Sequence, residues 1–202
     1  MGGIGMTQNS DKRIIAITGG IGSGKSAVSK ILSSKGVVLS CDEINKEMLQ
    51  DPTYIGILKE NFPEVFLDGK FDKRVMAFLI FSDKNKREKL NAIAHPEIMK
   101  RLQKRIEATP SNVIFVEVPL LTGTEFEQLF NEIVVVYANE ETRIERIMKR
   151  DDVTKEEAMS KIRSQNSEPV FENATVYEID NSGSQKELKN ACEQLMKQLF
   201  NK

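Results

Sequence analysis

The stretch Thr18-Gly19-Gly20-Ile21-Gly22-Ser23-Gly24-Lys25-Ser26 constrains this chain more than any other. It follows Arg13-Ile14-Ile15-Ala16-Ile17, whose β-branched residues predict a short strand buried on both faces. A helix is expected over residues 24–35, with Val28, Ile31 and Leu32 on one face and Gly36 as its stop. Strand, glycine loop and helix in this order meet the pattern G-x-x-x-x-G-K-[ST] in full. The glycines let backbone N–H groups approach phosphate oxygens closely, and the helix aims its positive end at the anion. Lys25 has the length to reach β and γ phosphates, and the Ser26 hydroxyl suits Mg²⁺.

The rest of the chain reads as an α/β protein. Residues 37–40 predict a second strand. From 42 to about 108 the pattern is helical, over residues 43–49, 54–61, 73–81 and 85–107, with no strand expected. Pro96 should kink the last of these helices or start a new one. Strands are expected at 113–118, 133–137 and 176–179, and helices at 140–149, 154–164 and 185–200. Thr154-Lys155-Glu156-Glu157 has the form of a capping box. Strand–helix alternation implies a parallel sheet. The helical block after the second strand is too long for one crossover and reads as a substrate lobe. The basic segment near 143–165 reads as a mobile flap.

Composition narrows the function classes. A net charge of −1 gives no global field to recruit nucleic acid or an anionic membrane. No apolar run approaches the roughly 20 residues that cross a bilayer. Cys41 and Cys192 make no disulfide framework and read as reduced thiols of a cytoplasmic protein. The absence of exposed apolar runs points to a monomer. Residues 1–11 read as a disordered leader. A GTPase would need a base-reading Asn-Lys-x-Asp; only Asp83-Lys84-Asn85-Lys86 occurs, in the wrong order. A transporter ATPase would need a second signature and a larger domain. A small-molecule kinase fits the size and the insertion, and a non-catalytic nucleotide switch is the competing class.

Asp42 stands just past the second strand, where the ligand crevice of a parallel sheet opens. It reads equally as a hydroxyl base near the γ phosphate or as a helix N-cap. Glu117 ends the third long strand, as a Mg²⁺ partner through water or a structural acid. Arg143, Arg146, Lys149 and Arg150 share one helix, with Arg146 and Arg150 at i and i+4. Most of that face reads as solvated; Arg150 reads as functional, a cation for the transferring phosphoryl group. His95, before Pro96, reads as a core or capping residue or a lobe contact.

Taken together these motifs resemble the dephospho-coenzyme A kinases. The resemblance rests on residues 18–26 and on Cys41-Asp42-Glu43-Ile44, Asp68-Gly69-Lys70-Phe71-Asp72-Lys73-Arg74 and Ala94-His95-Pro96-Glu97-Ile98. It continues through Val118-Pro119-Leu120-Leu121, Arg146-Ile147-Met148-Lys149-Arg150-Asp151, Gln165 and Asp180-Asn181-Ser182-Gly183-Ser184. It implies a P-loop NTPase three-layer fold with a parallel five-stranded sheet, a helical substrate-binding insertion and a small helical lid. The implied limits are 12–42, 111–142 and 174–202 for the nucleotide core, 43–110 for the lobe and 143–173 for the lid.

It also implies ATP and Mg²⁺, and phosphorylation of the ribose 3′-hydroxyl of dephospho-CoA. The catalytic residues are then Asp42, Lys25 and Arg150. ATP falls to Gly20, Ile21, Gly22, Ser23, Gly24, Lys25, Ser26, Ala27 and Arg146. The acceptor falls to Arg74, His95 and Leu120, and the metal to Ser26 with Asp42 or Glu117. The chain departs from the family at Ser40, where an acid is common, and at Glu117, where Asp is. Thr122-Gly123-Thr124, Arg143, Lys161 and Val170 also depart, and they bear on the lid and adenine contacts. Another metabolite kinase of the same fold remains the alternative.

Overall fold

The computed structural model describes residues 12–200, except 120, 123 and 166–170. The chain forms β1 (Arg13–Thr18), α1 (Lys25–Leu32), β2 (Val37–Ser40), α2 (Cys41–Met48), α3 (Pro52–Asn61), β3 (Phe66–Leu67), β4 (Lys70–Phe71) and α4 (Lys73–Ser82). Then follow α5 (Lys84–Ala108), β5 (Val113–Glu117), β6 (Glu132–Tyr137), α6 (Glu140–Asp151), α7 (Lys155–Arg163), β7 (Thr175–Asp180) and α8 (Gln185–Phe200). Two compact units result: one from the chain up to Leu39 together with Arg105 onward, the other from Ser40 to Lys104.

In the first unit the sheet order is β2-β5-β1-β6-β7. β1 pairs in parallel with β5 and β6, and β6 pairs in parallel with β7. The glycine loop therefore leaves the central strand. Alternate residues settle the core. Ile15, Ile17, Phe115, Val134, Val136 and Ile179 pack with Val28 and Leu32 of α1 and Leu188, Cys192, Leu195 and Leu199 of α8. Ala16, Ile114, Val116 and Ile133, on the opposite strand face, are buried as well. Both faces of the central strands are covered, which is why their sequences are continuously apolar. Burial pushes the Cys192 thiol up to about 11, so it stays a protonated core residue.

Helix α1 is shorter than expected. It ends at Leu32, and residues 33–35 continue as turns with Ser34 and Lys35 N–H bonded three residues back. Gly36 serves close packing instead: a Cβ there would lie 2.5 Å from the Val113 carbonyl oxygen. At the far end of α5, Lys12 Nζ donates to the carbonyls of Ile106, Glu107 and Thr109 at 2.6, 2.9 and 2.8 Å. A cation there satisfies acceptors that the helix leaves open.

In the second unit α5 runs through Pro96 as one helix, so this proline does not begin a new one. The expectation of no strand between 42 and 108 fails. β3 and β4 form a minimal antiparallel hairpin, pairing Phe66 with Phe71 and Leu67 with Lys70. Its turn is Asp68-Gly69, both at positive φ (49° and 76°), the backbone that right-twisted hairpins require. The Phe66 and Phe71 rings meet edge-on at 5.7 Å. Arg101 joins the helices by ion pairs to Glu97 (2.8 Å) and Asp51 (2.5 Å).

Candidate active site

Two glycines make the loop after β1 possible. Gly19 has φ +147°, and a Cβ there would sit 2.0 Å from the Val136 carbonyl oxygen. Gly24 has φ +93°, and a Cβ would sit 2.1 Å from Asn181 Nδ2. No L side chain is tolerated at either. Several of the loop's carbonyls are held by side chains. Arg143 Nε donates to Ile21 O at 2.8 Å. Arg146 Nη1 donates to Gly22 O and Ser23 O at 3.3 and 3.2 Å, and its Nη2 to Asn181 O at 2.8 Å. Asn181 Nδ2 donates to Ser23 O at 2.8 Å. With carbonyls so held, the N–H groups of Gly22 and Gly24 have no partner among the described residues and are left for an anion.

Ser26 is the second residue of α1, and its Oγ donates to Glu117 Oε1 at 2.8 Å; Ser29 Oγ donates to Oε2 at 3.0 Å. Glu117 is 8% exposed, at the end of β5. It is therefore joined to the metal-ligating hydroxyl expected from sequence, and neither of these bonds is an ion pair. One hydroxyl and one carboxylate are hard oxygen donors of the kind Mg²⁺ takes alongside substrate phosphates. Among the described residues no three His, Cys, Asp or Glu side chains cluster as a metal cage. Lys25 Nζ folds onto its own loop, donating to Gly19 O at 2.8 Å and Gly20 O at 3.4 Å. Ser23 Oγ is buried and has no hydrogen-bond partner among the described residues.

Ser40, and not Asp42, caps α2: its Oγ accepts from Glu43 N at 3.3 Å. Asp42 is exposed in the first turn, two residues past β2. The guanidinium of Arg146, which the sequence reading aimed at ATP, lies on loop carbonyls. That of Arg150 is 60% exposed and donates through Nε and Nη2 to Asp151 at 2.7 and 3.1 Å. Lys161 Nζ donates to the same Asp151 at 2.7 Å. The Arg150 hydrogen bond, then the Lys161 one, hold the Asp151 carboxyl well below its usual range. Exposed Ala27 follows Ser26 in α1. Arg74, its side chain 95% exposed, is the second residue of α4, and half-buried His95 lies within α5. Leu120 and Val170 lie outside the described residues, as do 1–11.

Sequence reasoning gave no role to three residues that build this loop. Asn181 is 4% exposed yet polar, and it follows β7 at the carboxyl end of the sheet. Parallel topology brings that end beside the loop, which is the signal that could have found it. Gln165 Oε1 accepts from Ile21 N at 2.7 Å. Arg143, read as solvated, is half-buried; burial pushes its guanidinium below its ordinary value, with Glu140 opposing.

The chain is similar to known proteins over most of its length. The family model for dephospho-CoA kinase matches residues 13–187. A dephospho-CoA kinase of Bacillus licheniformis is 36% identical, over 91% of this chain and 94% of that protein. One from Thermus thermophilus is 33% identical, over 92% and 91%. A crystal structure of a Thermus thermophilus protein superposes with a TM-score of 0.78 at 32% identity, covering 94% of this chain and 98% of the other. Shikimate kinase from Acinetobacter baumannii shares the fold alone, at 14% identity and a TM-score of 0.53, covering 94% of each chain. The chain belongs to the dephospho-CoA kinase family.

Proposed function

We propose that this chain transfers the γ-phosphoryl group of ATP to the ribose 3′-hydroxyl of dephospho-CoA, giving coenzyme A and ADP. The observation that carries the reading is the phosphate loop, several of its carbonyls held by side chains, in a chain whose family match spans residues 13–187. The loop N–H groups hold the β phosphate region, and Lys25 leaves the loop carbonyls for the β and γ oxygens. Ser26 and Glu117 would hold Mg²⁺, which when bound would supply positive charge to the phosphate oxygens. Arg74 and His95 serve the acceptor. Asp42 accepts the hydrogen bond of the 3′-hydroxyl and takes its proton as the oxygen–phosphorus bond forms. The bond from the γ phosphorus to the β–γ bridging oxygen breaks, and ADP leaves with that electron pair. Arg150 turns from Asp151 to the transferring group, whose charge it stabilises.

The test is incubation with ATP and Mg²⁺, with and without dephospho-CoA, reading product mass directly. A gain of one phosphate on this acceptor, and on no other member of a nucleoside and nucleotide panel, is the expected result. ATP binding without transfer would reject the acceptor assignment and leave the loop reading intact.

A further inference from the structure

Ile21 is held by the α6–α7 hairpin and by Gln165, two residues past α7. Its side chain packs against the apolar cluster of Ile144, Ile147, Ala158 and Ile162. Its carbonyl accepts from Arg143 Nε at 2.8 Å. Its N–H donates to Gln165 Oε1 at 2.7 Å. Gly20 precedes it and Gly22, at φ +79°, follows it. Peptides flanked by glycine have little intrinsic preference and lose the most freedom on ordering. A cradle that works through N–H groups needs them facing one way before the anion arrives, and ordering in advance removes that cost from binding.

We propose that Arg143 and Gln165 are positioning residues for the phosphate loop, clamping the two peptide groups of Ile21 so that the α6–α7 hairpin sets ATP affinity. The proposal rests on reading the loop as the ATP site. Among the described residues Arg143 makes no ion pair, the Glu140 charge acting on it without a hydrogen bond, and its Nε–H is turned to the loop. Each half of the clamp can be removed separately. Gln165→Leu deletes the acceptor at similar volume, and Arg143→Leu deletes the donor. Arg143→Gln drops the charge yet keeps an N–H donor.

ATP binding is measured by calorimetry without acceptor, beside thermal unfolding of the ligand-free chains and steady-state kinetics. Each leucine variant is expected to weaken ATP binding about five- to tenfold, the scale of one lost hydrogen bond. KM for ATP rises by a similar factor with little change in kcat, and the midpoint of unfolding stays near that of wild type. Arg143→Gln is expected to restore most of the affinity. Leucine variants that bind ATP like wild type would overturn the clamp. So would a glutamine variant as weak as the leucine one, which would assign Arg143's effect to charge on the ligand. Absence of ATP binding by the wild-type chain would overturn the loop reading and the clamp with it.

Discussion

Asp42 illustrates the residue scale. Because Ser40 supplies the cap of α2, the Asp42 carboxylate is released from that structural task and stays exposed. Asp42→Asn is therefore expected to fold and to bind ATP as wild type does, while turnover falls about 10²-fold or more, the scale of lost general-base help. Calorimetry and an ADP-release assay separate the two quantities, and wild-type turnover would remove the base role. Lys25→Ala should do the reverse and lose ATP binding itself. Residue identities at the loop were legible because the pattern is contiguous. The Ser26–Glu117 bond was not, since 91 residues separate its partners and no local spacing encodes it. The same holds for Asn181 and Ser23, 158 residues apart.

At the scale of elements, short-range chemistry decided what could be read. Thr154 caps α7 with a full capping box, as its four-residue pattern predicts. The β3–β4 hairpin escaped because two residues per strand carry no period; its Asp-Gly turn was the signal to use. The α6–α7 pair is further tied by Asp151, bonded to Arg150 and Lys161. Its carboxyl pKa is depressed in the folded chain. The stabilisation is thus present above the unfolded value near pH 4 and is lost as pH falls toward the folded value. Urea unfolding of wild type and Asp151→Asn should show wild type more stable at about pH 6.5, with the gap narrowing toward about pH 2.5. A gap independent of pH would mean that the carboxylate's charge is not what stabilises the pair.

For the whole molecule, the sheet is the structural premise of the site. Phe115 of β5, beside the central strand, is fully buried in the core cluster that includes residues of α1 and α8. Phe115→Ala should cost about 3–5 kcal/mol in urea unfolding, the range for truncating a buried aromatic ring. A loss under about 1 kcal/mol would mean that the core collapses around the gap. The amino-acid sequence by itself determined the strand–loop–helix at residues 13–32, the alternation of strands and helices, and the cap of α7. Each of these depends on neighbours within a turn or two, where sterics and hydrogen bonding act locally. Only the tertiary structure decided the order β2-β5-β1-β6-β7, the pairing of Ser26 with Glu117, and the loop's support by Arg143, Arg146, Gln165 and Asn181. Those contacts join segments far apart in the chain. Their geometry is set by which strands lie side by side, and burial of the sheet's two faces selects that arrangement.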